Sequence, residues 1–297
     1  MKRMLIFGLG YSAGRIADRL RAAGWQVTGT SRTGRPGTIA FTDEAAVDAA
    51  ITSATHILVS TPPEPSGDPV LARYGDRLTG RWTGRLTGLW TGLWTGYLSS
   101  TGVYGDAQGA WVDETSPTGT GRRSARAEAD AAWLARGGHV FRLPGIYGPG
   151  RSAIDRVIEG RAHRIDLPVQ VFSRVHVDDI ASGVIAGLDG PAGAYNLADD
   201  HPCSQNAVID FACAVAGLPR LPLVTMDEAG LSPMARGFYA ENRRVANGKA
   251  KRVLGWSPAF PDYRAGLLAL GALFPLRAMT SPIMASAAPA AGSGDQR

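Results

Sequence analysis

Lysine is almost missing from this chain. Its 297 residues include 31 Lys and Arg, yet the only lysines are Lys2, Lys249 and Lys251, and none lies between Arg3 and Gly248. Chemistry that needs a lysine must do without one across the central chain, where arginine is abundant but is too weak an acid to donate protons at neutral pH. Cysteine is equally scarce. Cys203 and Cys213 make no disulfide framework and no histidine cluster accompanies them, so a reduced, cytoplasmic setting without a metal site is expected. Long apolar runs are also lacking. Residues 267–276 form the longest near the C-terminus, far too short to span a bilayer, so no membrane partner is expected. Residues 1–7 faintly imitate a signal peptide, but Arg15, Asp18 and Arg19 interrupt the pattern and no small-x-small cleavage site follows closely. A buried first strand is the better expectation. The formal net charge of +5 comes from scattered arginines rather than a run, so no nucleic-acid stripe is visible. A phosphorylated cofactor or a solvated surface accounts for it.

A hydrophobic fraction of 44% suits an ordinary globular chain. Strand and helix signals alternate through the first half. Residues 4–7 form a short apolar run ending in glycine. Residues 12–23 have helical spacing, with Ile16 and Leu20 on one face and Gly24 past the end. Further strands are expected at 25–30, 38–41, 56–60, 97–100 and 139–142, with a helix over 44–53. This order predicts an α/β chain: a doubly wound parallel sheet of Rossmann type with a small C-terminal substrate lobe. The core is expected over 1–150, the lobe mainly over 151–275 with 171–190 returning to the core, and a disordered tail over 276–297, rich in Ala, Ser, Pro and Gly.

Residues 79–98 read TGRW, TGRL, TGLW, TGLW, TGYL, a four-residue period too short for a solenoid repeat of about 20 residues or more. As a helix, Trp82, Leu86, Trp90 and Trp94 would form one stripe, a surface for a partner or membrane. As an expansion inserted over 79–94 it would be a tolerated loop, and this is the preferred reading.

Gly8-Leu9-Gly10-Tyr11-Ser12-Ala13-Gly14 follows the first strand and opens the first helix. Glycines there allow a tight turn and close approach of backbone to a pyrophosphate, which the helix N-terminus attracts. The spacing is read as G-x-G-x-x-x-G, with Gly8, Gly10, Tyr11, Ser12 and Gly14 as cofactor-binding candidates. The second strand leads into Ser31-Arg32, with no acidic residue before Asp43. An acid there would hold a ribose 2′-hydroxyl; Ser31 and Arg32, with Arg35 nearby, suit a 2′-phosphate, so NADP is preferred over NAD. Ser60 and Thr61, ending the fourth strand, join the cofactor set.

Several motifs then point one way. Ser99-Ser100-Thr101-Gly102-Val103-Tyr104-Gly105 resembles the S-S-x-x-V-Y-G segment of extended short-chain dehydrogenases, the NAD-dependent epimerase/dehydratase family. Arg142-Leu143-Pro144-Gly145-Ile146-Tyr147-Gly148-Pro149-Gly150 resembles that family's R-x-x-x-x-Y-G-P-G segment, and Val175-His176-Val177-Asp178-Asp179 its V-H-V-D-D. Tyr195-Asn196-Leu197-Ala198 and Leu254-Gly255-Trp256-Ser257-Pro258 also match, so the resemblance runs in order from residue 4 to about 268. It implies a nicotinamide cofactor and a small-molecule substrate, with a homodimer an open possibility. It also implies that the Ser100 hydroxyl bonds the reacting oxygen, and that a Tyr-x-x-x-Lys pair on the next helix moves the proton.

That pair is missing. Anchored on Asp130, the family pattern puts Arg126 at the lysine position and Arg122 at the tyrosine position; anchored on Glu128, it puts Ser124 and Thr120 there. Arg126 can position the cofactor ribose and supply charge. Tyr104 is the nearest substitute acid, although packing beside the nicotinamide pocket is its blander role. His176 with Asp178 and Asp179 reads as strand packing and helix capping rather than a metal site. Arg174 is the substrate-binding candidate, because a family arginine near this segment contacts substrate phosphate. Two functions remain: an NADP-dependent oxidoreductase or epimerase-like enzyme on a hydroxyl- or carbonyl-bearing substrate, nucleotide-linked ones included, or a cofactor-binding sensor or scaffold that has lost catalysis.

Overall fold

Short strands buried on both faces must be joined through crossovers that cover those faces, and this chain supplies a helix for nearly every crossover. The computed structural model describes residues 1–82, 93–121 and 124–272. The first half runs β1 (Arg3–Phe7), α1 (Tyr11–Ala22), β2 (Gln26–Ser31), β3 (Ile39–Ala40), α2 (Glu44–Ser53), β4 (His56–Val59), α3 (Pro69–Trp82), β5 (Trp94–Ser100), β6 (Trp111–Val112), α4 (Ser124–Ala135) and β7 (His139–Leu143). The second half adds β8 (Gly145–Tyr147), α5 (Ala153–Ile158), β9 (Arg164–Ile165), β10 (Arg174–His176), α6 (Val177–Ala186), β11 (Gly193–Asn196), α7 (Gln205–Val215), β12 (Leu223–Val224), α8 (Pro233–Phe238), β13 (Arg244–Val245), α9 (Gly248–Leu254) and α10 (Tyr263–Gly271).

Seven strands make one parallel sheet in the order β11-β7-β5-β4-β1-β2-β3. This is the doubly wound Rossmann architecture. The chain winds outward from β1 to β3, returns to β4 and winds the other way. The direction therefore reverses between β1 and β4, and the crevice at their C-terminal ends is where such sheets bind ligands. On one face Met4 and Ile6 of β1 pack with Ile16 and Leu20 of α1 and with Ile180 and Val184 of α6. On the other, Leu5 and Phe7 pack with Val47 and Ile51 of α2, Tyr74 of α3 and Trp133 of α4. Asp68 starts α3 by accepting from the Val70 and Leu71 amides, 2.9 Å each, and its second oxygen takes the Trp133 indole N–H at 3.0 Å.

The lobe is a smaller cluster of α5, α7 and α10 around Ile154, Val157, Val208, Ile209 and Leu267. Two-residue parallel ladders, β13 on β6 and β12 on β9, run within and beside it. The helix α6 lies against α1, where Asp178 meets Arg15 at 3.3 Å and Arg19 at 3.8 Å. Asp179 anchors the chain returning toward α10, accepting from the amides of Ala259 (2.7 Å) and Phe260 (3.1 Å).

The tandem repeat differs from a simple loop at both ends. Its first unit continues α3 to Trp82, and its last tryptophan, Trp94, opens β5. Trp94 stacks on His139 with ring centroids 5.0 Å apart and donates to the Gly187 carbonyl at 3.2 Å. Gly96 lies directly beneath the Trp94 indole, where a Cβ has no room. Residues 83–92 lie outside the described residues, as does the expected tail over 276–297.

Candidate active site

The glycine-rich turn sits at the C-terminal end of β1. Gly8 has φ +84°, and a Cβ there would lie 2.8 Å from the Thr61 hydroxyl, so both conformation and space demand glycine. Its amide donates to the buried Thr30 hydroxyl at 3.1 Å, which fixes the turn against β2. Gly10 precedes α1 and offers no capping side chain, so the first-turn amides of that helix have no side-chain acceptor. A Cβ on Gly10 would just touch the Gly8 carbonyl oxygen, at 4.0 Å, and one on Gly14 would meet nothing. An uncapped helix start beside open space fits a pyrophosphate.

The spacing reading needs one correction. The third small residue of the fingerprint is Ala13, giving G-x-G-x-x-A. Ala13 is fully buried in the α1–sheet core, where close packing demands a small side chain. Gly14 faces open space and has no such duty. Ser12 lies on the cleft wall. Tyr11 reaches across the turn: its hydroxyl donates to the Pro149 carbonyl at 3.2 Å, and Arg151 stacks on its ring with Cζ 5.7 Å from the centroid.

Beyond β2, the Ser31 hydroxyl accepts from the Arg35 amide at 3.0 Å and shares a 2.7 Å hydrogen bond with Thr38, so it organises the turn that carries Arg32. Arg32 is exposed. The Arg35 guanidinium folds back onto the Leu9 carbonyl of the glycine turn. Ser60 lines the cleft, and Thr61 supports Gly8 from behind.

At the end of β5 the two serines diverge. Ser99 is buried and donates to the Asp130 carboxylate at 2.6 Å. Ser100 faces the cleft, and among the described residues its oxygen accepts only the Gly102 amide at 3.1 Å and its proton has no acceptor. Arg126 joins it on that wall, with Nη1 donating to the Tyr97 hydroxyl at 2.9 Å and the Leu98 carbonyl at 3.3 Å. Asp130, one helical turn on, makes a buried two-pronged pair with Arg142, at 3.0 Å from Nε and 2.8 Å from Nη2. Arg122 is outside the described residues.

Tyr104, weighed above as a substitute acid, is not on the cleft wall. It is 3% exposed; its hydroxyl donates to Asn196 at 2.8 Å and accepts from Arg142 at 2.9 Å. Burial raises its pKa against the pull of Arg142. Its proton is committed to the network beneath Ser100. His176 caps α6, accepting from the Asp178 amide at 3.2 Å, and burial pushes its pKa down to about 4. Among the described residues no group of three or more His, Cys, Asp or Glu could hold a metal ion.

The cleft has a volume of ≈ 880 Å³ and runs from Ser12 in the first turn of α1 past Ser100 into the lobe. Arg174 lines it but is heavily engaged: Nη1 donates to the Phe172 and Cys203 carbonyls at 2.9 and 3.2 Å, and Nη2 to Gln205 at 3.0 Å. Sequence reasoning missed Ala13, and it missed Arg151, Arg156, Arg161 and Arg243 of the cleft wall, whose scatter along the chain hides that they converge.

These features can be set beside known proteins. No protein-family model matches the chain. A 3-diazoavenalumate denitrifying reductase from a Streptomyces species is 30% identical over 171 residues, covering 53% of this chain and only 55% of that protein. Protein YeeZ of Escherichia coli K12 is 30% identical over 294 residues, 88% of this chain and 97% of its own. Among solved structures, a conserved protein of unknown function from Silicibacter pomeroyi is 41% identical, with a TM-score of 0.82 over 92% of this chain and 99% of that one. The human epimerase family protein SDR39U1, solved with NADPH, superposes with a TM-score of 0.67 at 19% identity, over 91% of this chain and 99% of that one. The chain belongs to the family of Protein YeeZ, and it has the fold of the NAD-dependent epimerases and dehydratases. The helix after Ser100, Ser124–Ala135, contains neither tyrosine nor lysine.

Proposed function

We propose that the protein binds NADP(H) in the crevice beside β1 and β4 and transfers hydride to or from a small hydroxyl- or carbonyl-bearing substrate held against Ser100. One observation carries this reading: the uncapped start of α1, flanked by open space at Gly10 and Gly14, opens into the same cleft as the free Ser100 hydroxyl. The residues present fit the cofactor. Gly8, Gly10 and the first-turn amides of α1 would hold the pyrophosphate, Ser31, Arg32 and Arg35 the 2′-phosphate, and Ser60 the segment nearer the reacting ring. When bound, the nicotinamide supplies or accepts the hydride. Ser100 donates to the reacting oxygen, and Arg126 lends positive charge beside it without giving up a proton. Proton delivery falls to water or to a substrate group, because Tyr104 is locked to Asn196 and Arg142. That the human relative was solved with NADPH, and that the Streptomyces relative is a reductase, support a reducing NADPH enzyme. Nucleotide-linked substrates belong to the same proposal.

The test is titration of the purified protein with NADPH and NADH by nicotinamide fluorescence, followed by a turnover screen over small carbonyl compounds and sugar nucleotides. Tight NADPH binding with NADPH oxidation by some member of the screen is expected. A second reading, a cofactor-binding sensor, is favoured by the committed Tyr104 proton; NADPH binding without turnover of any compound selects it. Failure to bind either cofactor overturns both.

A further inference from the structure

A second cavity shares a wall with the cleft. It has a volume of ≈ 580 Å³ and lies between the loop that follows Tyr104, residues 168–171 and residues 240–244. That volume is enough for a small molecule. Glu241 and Arg243 line the cleft, whereas Ala240, Asn242 and Arg244 line this cavity, so one short segment serves both. Val171 alone lines the two together.

Asn242 ties the cavity walls to each other. Its backbone amide donates to Asp106 Oδ1 at 2.7 Å, and its carbonyl accepts the Ala107 and Gly109 amides at 3.0 and 2.8 Å. Its side chain donates to the Val169 carbonyl at 2.9 Å and accepts the Val171 amide at 3.1 Å. Gln108 is the one non-glycine among the described residues with a left-handed backbone, at φ +52°, and Gly109 follows at +80°. Two such residues in succession bend the loop onto Arg244, whose guanidinium donates to the Gly109 carbonyl. The cavity is therefore built before any ligand arrives.

Three polar groups in it are left over. Asp106 Oδ1 takes the Gln108 and Asn242 amides, at 3.1 and 2.7 Å, and its second oxygen has no partner among the described residues. Arg244 forms no ion pair among them, and its side chain donates to Gly109 alone. Gln170 is 8% exposed and its Nε2 donates to the Glu241 carbonyl at 2.8 Å, yet its Oε1 has no partner and opens to the cavity. Among the described residues, Asp106 and Arg244 are the only charged groups that line the cavity, and they do not pair with each other. The remaining walls include Pro168, Val171, Ala240 and Val169, the last 79% exposed.

One charge of each sign, held apart in a preformed cavity, fits a ligand that carries both. We propose that this cavity binds a small aliphatic α-amino acid. The ammonium meets the Asp106 carboxylate and Gln170 Oε1, the carboxylate meets Arg244, and the side chain covers Pro168 and Val169. An anion or a cation alone would be attracted by one of the two charges and repelled by the other. Covering Val169 also takes an apolar side chain out of water. The site borrows nothing from the cofactor reading.

The experiment is isothermal titration of the full chain with L-valine, and with N-acetyl-L-valine and L-valinamide, which each lack one charge. One L-valine site per chain is expected, undisturbed by saturating NADPH, with both analogues weaker by about tenfold or more. Asp106→Asn keeps the Oδ1 acceptor of the loop and removes the charge. It should weaken valine by about tenfold while thermal unfolding and NADPH titration stay as in the wild type. Arg244→Gln should weaken valine equally, and Arg244→Lys, which keeps the charge, should recover part of the loss. No binding of L-valine, an analogue that binds as tightly as valine, or binding indifferent to both Asp106→Asn and Arg244→Gln would each overturn the site. Valine displaced by NADPH would overturn it too, because it would then sit in the cleft. A chain that binds valine through Asp106 and Arg244 yet ignores NADPH would leave this site standing and remove the cofactor reading instead.

Discussion

The end of β5 places two polar groups side by side that differ in how they are satisfied. Behind the strand, Ser99, Asp130, Arg142, Tyr104 and Asn196 form a closed network in which each member meets another within 3.0 Å, and all five are buried. In front of it, Ser100, Arg126 and Arg156 face a cleft, the serine with a spare proton and the two arginines without an ion pair among the described residues. The same short motifs feed both sets: Ser99 and Ser100 are neighbours, and Tyr104 lies four residues on. A family resemblance alone cannot say which residue goes to which side. Satisfaction can, because a buried group must be matched within the protein, whereas a group left unmatched at a cleft is available to a ligand.

The largest expected effect breaks the closed set. Removing Asp130 by Asp130→Ala strands the buried Arg142 guanidinium, whose pKa is held above its ordinary value against burial by the Asp130 hydrogen bonds. Destabilisation of about 3–5 kcal/mol is expected in urea unfolding. A loss near 1 kcal/mol would mean that water reaches the pair and that the network is not closed.

Ser100→Ala sharpens the contrast from the other side. It gives up one accepted bond from Gly102, so unfolding should change by only about 1 kcal/mol. Once a substrate is in hand, turnover should fall by about 10²–10³, the cost of one lost donor to a developing oxyanion, with NADPH affinity unchanged. Tyr104→Phe should do the reverse, lowering stability by about 1–3 kcal/mol and leaving NADPH affinity intact. Brisk turnover in Ser100→Ala would put the chemistry elsewhere in the cleft.

Asp199 tests the same logic with pH. It is 2% exposed, one carboxylate oxygen has no protein partner, and burial pushes its pKa up to about 7 against the pull of Arg174. A carboxyl whose folded pKa lies above its unfolded value stabilises most when protonated. Its contribution is present below about pH 4 and is lost as pH rises through 7. His176 and His56 act oppositely: burial lowers both to about 4, so their contribution is present above about pH 6.5 and lost as pH falls toward 4. Asp199→Asn should therefore gain on the wild type as pH rises from 4 to 8, by a few kcal/mol at most, read as the difference between the two Tm–pH curves. Parallel curves would show that Asp199 stays ionised in the fold.

Much of the fold was legible because strands buried on both faces announce themselves as apolar runs between glycine and helix signals. β3 shrank to two residues and β5 grew back to Trp94, since a tryptophan in a repetitive TGxx stretch carries no local strand signal and only its stacking on His139 reveals the role. The glycine turn after β1 was legible as a pattern, but its third small residue was not, because Ala13 and Gly14 are adjacent and only the packing tells which one faces the sheet. Ser100 and Arg126, picked out by motif order, both line the cleft. Arg156 and Tyr239 line it too but were not picked out, because they lie far apart in sequence and come together only when the lobe folds.

The smallest effect concerns the arginines beyond β2, and it sets an exposed, solvent-screened site against the cleft. Arg32 is exposed, while Arg35 leans onto the Leu9 carbonyl beside the glycine turn, its amide held by Ser31. A 2′-phosphate would draw on both: Arg32 by charge, Arg35 by a guanidinium already positioned. Arg32→Ala should weaken NADPH by about 1.5 kcal/mol, roughly tenfold, and leave NADH almost unchanged, because NADH carries no phosphate there. Arg35→Ala should weaken NADPH similarly and NADH slightly, since its loss also frees the turn against Leu9. Raising the salt should shrink both differences, as expected of exposed charges. The measurement is paired NADPH and NADH titration of each variant at two ionic strengths. Equal affinity of the wild type for the two cofactors, or a preference that survives both substitutions, would move phosphate recognition away from β2 and toward the unmatched arginines of the cleft.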